Sequence, residues 1–203
     1  MTLRGTVSTD TASDRPALRV RRLPGEEGTW VFLFGDMTVF AILFSVYLYY
    51  RAGEADVFTE SQMRLNQIFG VVNTLVLLTS SLLVVTAVRV MRRNGSLLAR
   101  RLIYAAMACG AVFVMNKAIE YGREISDGFV PATNQFFMYF YVMTGLHLLH
   151  VLLGMGLLGF MARLVRSGAL SPRQRGYLEG GACFWHMVDL LWIVIFPLLY
   201  LVK

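Results

Sequence analysis

Residues 29–50 read TWVFLFGDMTVFAILFSVYLYY, an apolar run in which Asp36 is the one acidic or basic side chain. A helix rises about 1.5 Å per residue, so a run of this length crosses a bilayer core of roughly 30 Å. Outward from it, four further stretches repeat the pattern at 68–88, 102–121, 137–161 and 177–202. Backbone in contact with lipid must satisfy its own hydrogen bonds, so each stretch is expected to be a helix. The whole chain agrees, being 56% hydrophobic and only 16% charged, with a positive mean hydropathy that ordinary soluble domains do not reach. The reading is an all-α polytopic membrane bundle with five transmembrane helices over residues 28–203, preceded by a flexible tail over 1–27.

Arginine placement orients the bundle. Arg4, Arg15, Arg19, Arg21 and Arg22 precede the first span, Arg89, Arg92, Arg93, Arg100 and Arg101 lie between the second and third, and Arg163, Arg166, Arg173 and Arg175 between the fourth and fifth. The other side carries only Arg51, Arg64, Arg123 and Lys203. The positive-inside rule makes the first set cytoplasmic, with the N-terminus inside and the C-terminus outside. The net charge of +6 therefore reports topology in the plasma membrane and not a nucleic-acid partner. Segments 52–67 and 122–135 become the outer connections. Ser126, Asp127, Gly128 and Pro131 give the second of these its turn chemistry.

Small residues predict where helices approach closely: Ala106 with Gly110, Gly154 with Gly156 and Gly159, and Gly176 with Gly180. Pro197 is expected to bend the fifth span. Cys109 and Cys183 lack any metal or disulfide spacing and read as small buried apolar residues.

An ionisable side chain at membrane depth costs at least about 2.5 kcal/mol, so each one needs a partner or a role. Asp36 lies in the first span, Lys117 and Glu120 in the third, His147 and His150 in the fourth, and Glu179, His186 and Asp189 in the fifth. Separations of three and seven residues put each set on one face of its helix. The simplest arrangement is one polar seam between the fourth and fifth spans, with Lys117 and Glu120 pairing internally without an outside partner. Histidines on facing helices also suggest a haem or metal site. A hydrogen-bond network is the favoured reading, because Phe184 and Trp185 crowd the approach beside His186. Asp36 is either a packing residue or a proton-exchanging carboxyl.

Four runs carry a family resemblance: WVFLFGDMTVFAILFSVYLYYR from Trp30, EYGREISDGF from Glu120, TGLHLLHVLLG from Thr144 and LEGGACFWHMVDLLWIVIF from Leu178. Together they resemble subunit III of the haem-copper oxidases, helix by helix and in order. The resemblance implies an accessory subunit that carries no haem or copper itself, holds phospholipid, and packs against a catalytic subunit I in which haem and copper reside. The seven-helix version has two extra leading helices that form a lipid-filled cleft, and this chain is similar to the five-helix members that lack them. The family roles carried over are a buried carboxylate at Asp36, and contacts to lipid or neighbouring helices from Glu120, His147, His150, Glu179, His186 and Asp189. One departure is that Gly35 and Asp36 stand where the family usually has Ser and Glu, which shortens the carboxylate by one methylene. In this the GDM run looks like the subunit III-like branch associated with nitric oxide reductases.

The leading expectation is thus a subunit III that stabilises an aerobic terminal oxidase, holds lipid and supports proton uptake. The alternative within the superfamily is an accessory or activation protein of nitric oxide reductase. A haem-bearing subunit using His147 or His150 with His186, and a proton-coupled transporter using Asp36, are readings from other classes. The absence of an evident inverted repeat argues against the transporter.

Overall fold

The structure, a computed structural model, describes residues 27–93, 95–166 and 170–202. The tail expected over 1–27 lies outside these, apart from Glu27, which opens the first helix. Six α-helices follow in order: α1 (Glu27–Gly53), α2 (Ala55–Arg64), α3 (Gln67–Arg92), α4 (Ser96–Ser126), α5 (Gln135–Arg166) and α6 (Pro172–Phe196). Five of them, all but α2, are long and apolar enough to cross a membrane. Helices α3 to α6 close into a ring in which α3 returns against α6, while α1 lies outside against α5 and α6.

Two caps fix where spans begin. The Asn66 side chain accepts the Ile68 N–H at 3.0 Å to open α3. Ser171 and Gln174 form a reciprocal capping box ahead of Pro172 to open α6. The ring interior is organised by two tryptophans of α6. Trp185 donates its indole N–H to Ser80 Oγ at 3.1 Å, and Ser80 donates to the Ala106 carbonyl at 3.0 Å. Its ring fits because a Cβ at Gly154 would lie 2.7 Å from it and one at Gly110 3.2 Å. Gly110 and Gly154 are therefore close-approach positions, as their neighbourhoods predicted. Gly156 and Gly176 meet nothing within 4 Å and are not.

Three local expectations change. Segment 52–67 contains a helix, α2, because Phe58, Ser61 and Gln62 fall on one buried face; Phe58 packs on Tyr47 and Phe136. Pro197 does not simply bend the last span. The chain winds on through a π-turn, Pro197–Leu201, closed by the Val202 N–H on the Pro197 carbonyl at 2.9 Å. Side chains from three helices cap the carbonyls of this turn. Tyr47 and Gln62 donate to Leu198, Gln62 also to Leu199, and Gln67 to Tyr200. Finally, Cys109 and Cys183 are free thiols of intermediate exposure, and not fully buried.

Candidate functional site in the bundle interior

Asp36 of α1 and His150 of α5 meet at 2.9 Å, from Oδ1 to Nε2. The other imidazole nitrogen, Nδ1, lies 2.8 Å from the Leu146 carbonyl. A carbonyl oxygen only accepts, so Nδ1 carries a proton and donates. One further proton then sits between Nε2 and the carboxyl, on one or the other. Either way the pair has no net charge, which is what membrane depth favours. Phe40 stands edge-on to the imidazole at 5.5 Å and Phe184 stacks on its other side at 6.3 Å.

One turn away on α5, His147 is fully buried. Its ring sits between Phe113, 5.5 Å away edge-on, and Trp192 at 5.2 Å. Neither ring nitrogen has a hydrogen-bond partner.

The strongest polar cluster lies on α4. Lys117 and Glu120 are 0% and 2% exposed, with Nζ 2.7 Å from Oε2. Tyr200, from the π-turn, donates its hydroxyl to Glu120 Oε1 at 2.6 Å and accepts from Lys117 at 3.2 Å. The ammonium also faces the rings of Phe140 (4.8 Å), Tyr121 (5.2 Å) and Trp192 (5.3 Å). Such faces stabilise a cation by about 0.5–2 kcal/mol each where water is excluded. The predicted internal pairing is present, but it does have an outside partner, Tyr200. The only signal for that partner was a hydroxyl-bearing aromatic at the end of the last apolar run.

The remaining candidates pair separately. Glu179 meets Arg92 of α3 at 2.6 Å, and His186 Nδ1 meets Ser81 Oγ, also of α3, at 2.6 Å. Asp189 is buried and approaches the same Ser81 hydroxyl without reaching hydrogen-bond geometry. A single seam between α5 and α6 is therefore not what forms. The α6 residues turn to α3, which closes the ring beside them, while His150 turns out to α1. Among the described residues no three His, Cys, Asp or Glu side chains converge on one point. His150 has both nitrogens engaged, and aromatic rings flank His147.

These features define a class: a multi-pass helical membrane protein with acids and bases buried among its spans. Comparison with known proteins gives the particular family. A family model for cytochrome c oxidase subunit III matches residues 26–203. A cytochrome c oxidase subunit 3 of Thermostichus vulcanus is 31% identical over 196 residues, spanning 96% of this chain and 92% of its own. The corresponding protein of Alkalihalophilus pseudofirmus is 32% identical over 178 residues, with 86% and 84% covered. A probable cytochrome c oxidase subunit 3 of Mycobacterium tuberculosis is 32% identical over 178 residues, with 87% of each covered. The chain belongs to the cytochrome c oxidase subunit III family. The resemblance in its four sequence runs is thereby borne out, and nothing in these relatives' names supports the nitric oxide reductase branch.

Proposed function

We propose that the chain serves as the accessory subunit III of a haem-copper terminal oxidase in aerobic respiration. In this reading it packs against the catalytic subunit I that holds haem and copper, retains phospholipid, and supports proton uptake. The observation that carries it is the family match over residues 26–203, which takes in every membrane-crossing helix. The arginine-rich connections face the cytoplasm and the protein lies in the plasma membrane, with α2 and the α4–α5 loop outside.

Two features support the finer roles. An apolar groove of about 640 Å³ runs between α1, α5 and α6, with Phe32, Leu157, Phe160 and Phe184 among its lining residues. Such a groove suits an acyl chain. Tyr177, which also lines it, is covered by the Arg173 guanidinium at 5.7 Å. The Asp36–His150 pair holds one proton between two groups, a device suited to passing a proton from one to the other.

Purification in mild detergent tests the assignment. A partner with a haem Soret band and oxygen-reducing activity should co-isolate with the full chain. Recovery of the chain alone, or with a partner that reduces nitric oxide and not oxygen, would overturn it.

A further inference from the structure

Two groups of ionisable residues lie along the bundle interior. One comprises Asp36 and His150, with His147 a turn further along α5. The other comprises Lys117, Glu120 and Tyr200, and continues along the same face of α4 to Glu124, whose charged neighbours include Asp127. The ionisable groups whose charges act on His147 are Lys117 and His150, one from each group. The two groups therefore form one row that enters the interior at partly exposed Asp36 and ends near the α4–α5 loop.

Trp192 packs against both groups. Its ring stands 5.2 Å from the His147 ring and 5.3 Å from Lys117 Nζ, and it is fully buried. Phe113 closes edge-on against both, at 4.9 Å from Trp192 and 5.5 Å from His147. The one polar atom of the indole points elsewhere. Its N–H donates to Thr74 Oγ1 of α3 at 3.0 Å, and that hydroxyl is itself tied to the Gly70 carbonyl at 2.8 Å. A proton moves between groups that share a hydrogen bond, either directly or through water, and such bonds fail beyond about 3.5 Å. Neither nitrogen of His147 has a hydrogen-bond partner, so imidazole and ammonium have no such link while the indole ring packs against both. Were the ring removed, the space would be lined by a histidine with two unpaired nitrogens and an ammonium, and polar cavities of that kind take up water.

We infer that Trp192, anchored by Thr74 and braced by Phe113, is a proton-insulating plug that keeps the Asp36–His150–His147 group from connecting with the Lys117–Glu120–Tyr200 group across the membrane. This role is independent of which oxidase the chain joins. It explains how a chain can hold titratable groups at many depths and still not short-circuit a proton gradient.

The experiment uses the full chain in liposomes, with a trapped pH-sensitive dye and a potassium diffusion potential set by valinomycin. Wild-type vesicles should admit protons no faster than protein-free ones, and a leaky wild type would overturn the proposal. Trp192→Ala should admit protons severalfold faster, and adding His147→Leu to it should restore tightness by removing one end of the bridge. A leak that survives the second change reports general loosening and overturns the plug. So does a tight Trp192→Ala chain with wild-type helicity and elution. Should Trp192→Ala not fold, Trp192→Leu keeps an apolar residue too short to separate the two groups. A tight Trp192→Leu chain counts against the proposal, and a leak closed by His147→Leu supports it.

Discussion

The buried Lys117–Glu120–Tyr200 cluster allows the energetics of the interior to be tested by a double-mutant cycle. Removing one member of a buried ion pair leaves an uncompensated charge and costs about 3–5 kcal/mol, whereas replacing both with apolar residues of similar size is often near neutral. The two single changes should differ. In Lys117→Met, Glu120 keeps the Tyr200 hydroxyl as donor at 2.6 Å and is free to take up a proton, so its cost should fall near the low end, about 3 kcal/mol. In Glu120→Leu, the ammonium keeps only Tyr200 at 3.2 Å and its ring contacts, so its cost should approach about 5 kcal/mol. The double variant should lose no more than about 1–2 kcal/mol, giving a coupling energy of about 6–7 kcal/mol, above the usual range of about 0.5–3 kcal/mol for contacting residues. That coupling corresponds to a factor of roughly ten thousand to a hundred thousand in the folding equilibrium. Reversible unfolding of the purified chain in mixed micelles of mild detergent and dodecyl sulfate, followed by helicity, measures all four corners. Single variants costing less than about 1 kcal/mol, or a double variant as costly as the sum of the singles, would refute the reasoning.

Three further outcomes are expected. Asp36→Asn can still donate an amide N–H to His150 Nε2, so stability should change by no more than about 1 kcal/mol; the shared proton is lost, and the ratio of protons pumped to electrons consumed by the assembled oxidase should fall. Unchanged pumping would reduce Asp36 to a packing residue. Ser80→Ala strips the acceptor from the buried Trp185 indole and should lower stability by about 1–3 kcal/mol in thermal unfolding, the cost of an unsatisfied donor. Gly154→Ala drives a Cβ to 2.7 Å from the Trp185 ring and should cost about 1–3 kcal/mol, while Gly156→Ala, two residues on and open, should stay within about 0.5 kcal/mol in the same assay.

Hydropathy and helix periodicity made part of this legible and hid the rest for a physical reason. The five spans follow from apolar length alone, and the Lys117–Glu120 contact follows from a spacing of three on one helix. The partners across helices did not follow. A membrane helix is apolar on most sides, so hydropathy does not show which neighbour its few polar residues face. His150 thus faces Asp36 on α1, and His186 faces Ser81 on α3, where adjacency in the chain suggested that the two histidines faced each other. Helix α2 was missed because hydropathy looks for long apolar runs. Its signal was the spacing of Phe58, Ser61, Gln62 and Leu65, an amphipathic stripe in a polar segment.

The same reasoning indicates why costly charges persist in the interior. The buried face of α4 runs through Ala99, Ile103, Ala106, Gly110, Phe113, Lys117, Glu120 and Glu124, in steps of three and four. The polar residues are thus the continuation of the packing seam and not an intrusion into it. In lipid, the apolar part of that seam loses little free energy if α4 rotates, because acyl chains are as apolar as the neighbouring helix. The charged part cannot rotate freely: turned toward lipid, the Lys117–Glu120 pair would lose the Tyr200 hydroxyl and the ring faces of Phe140 and Trp192 and would meet only acyl chains. Tyr200 extends the constraint to the far end of the chain, since its hydroxyl reaches Glu120 only if the π-turn is formed and capped by Tyr47, Gln62 and Gln67. The charges therefore fix one rotation of α4 and one closure of the C-terminal turn, a specificity that apolar packing in a bilayer does not supply.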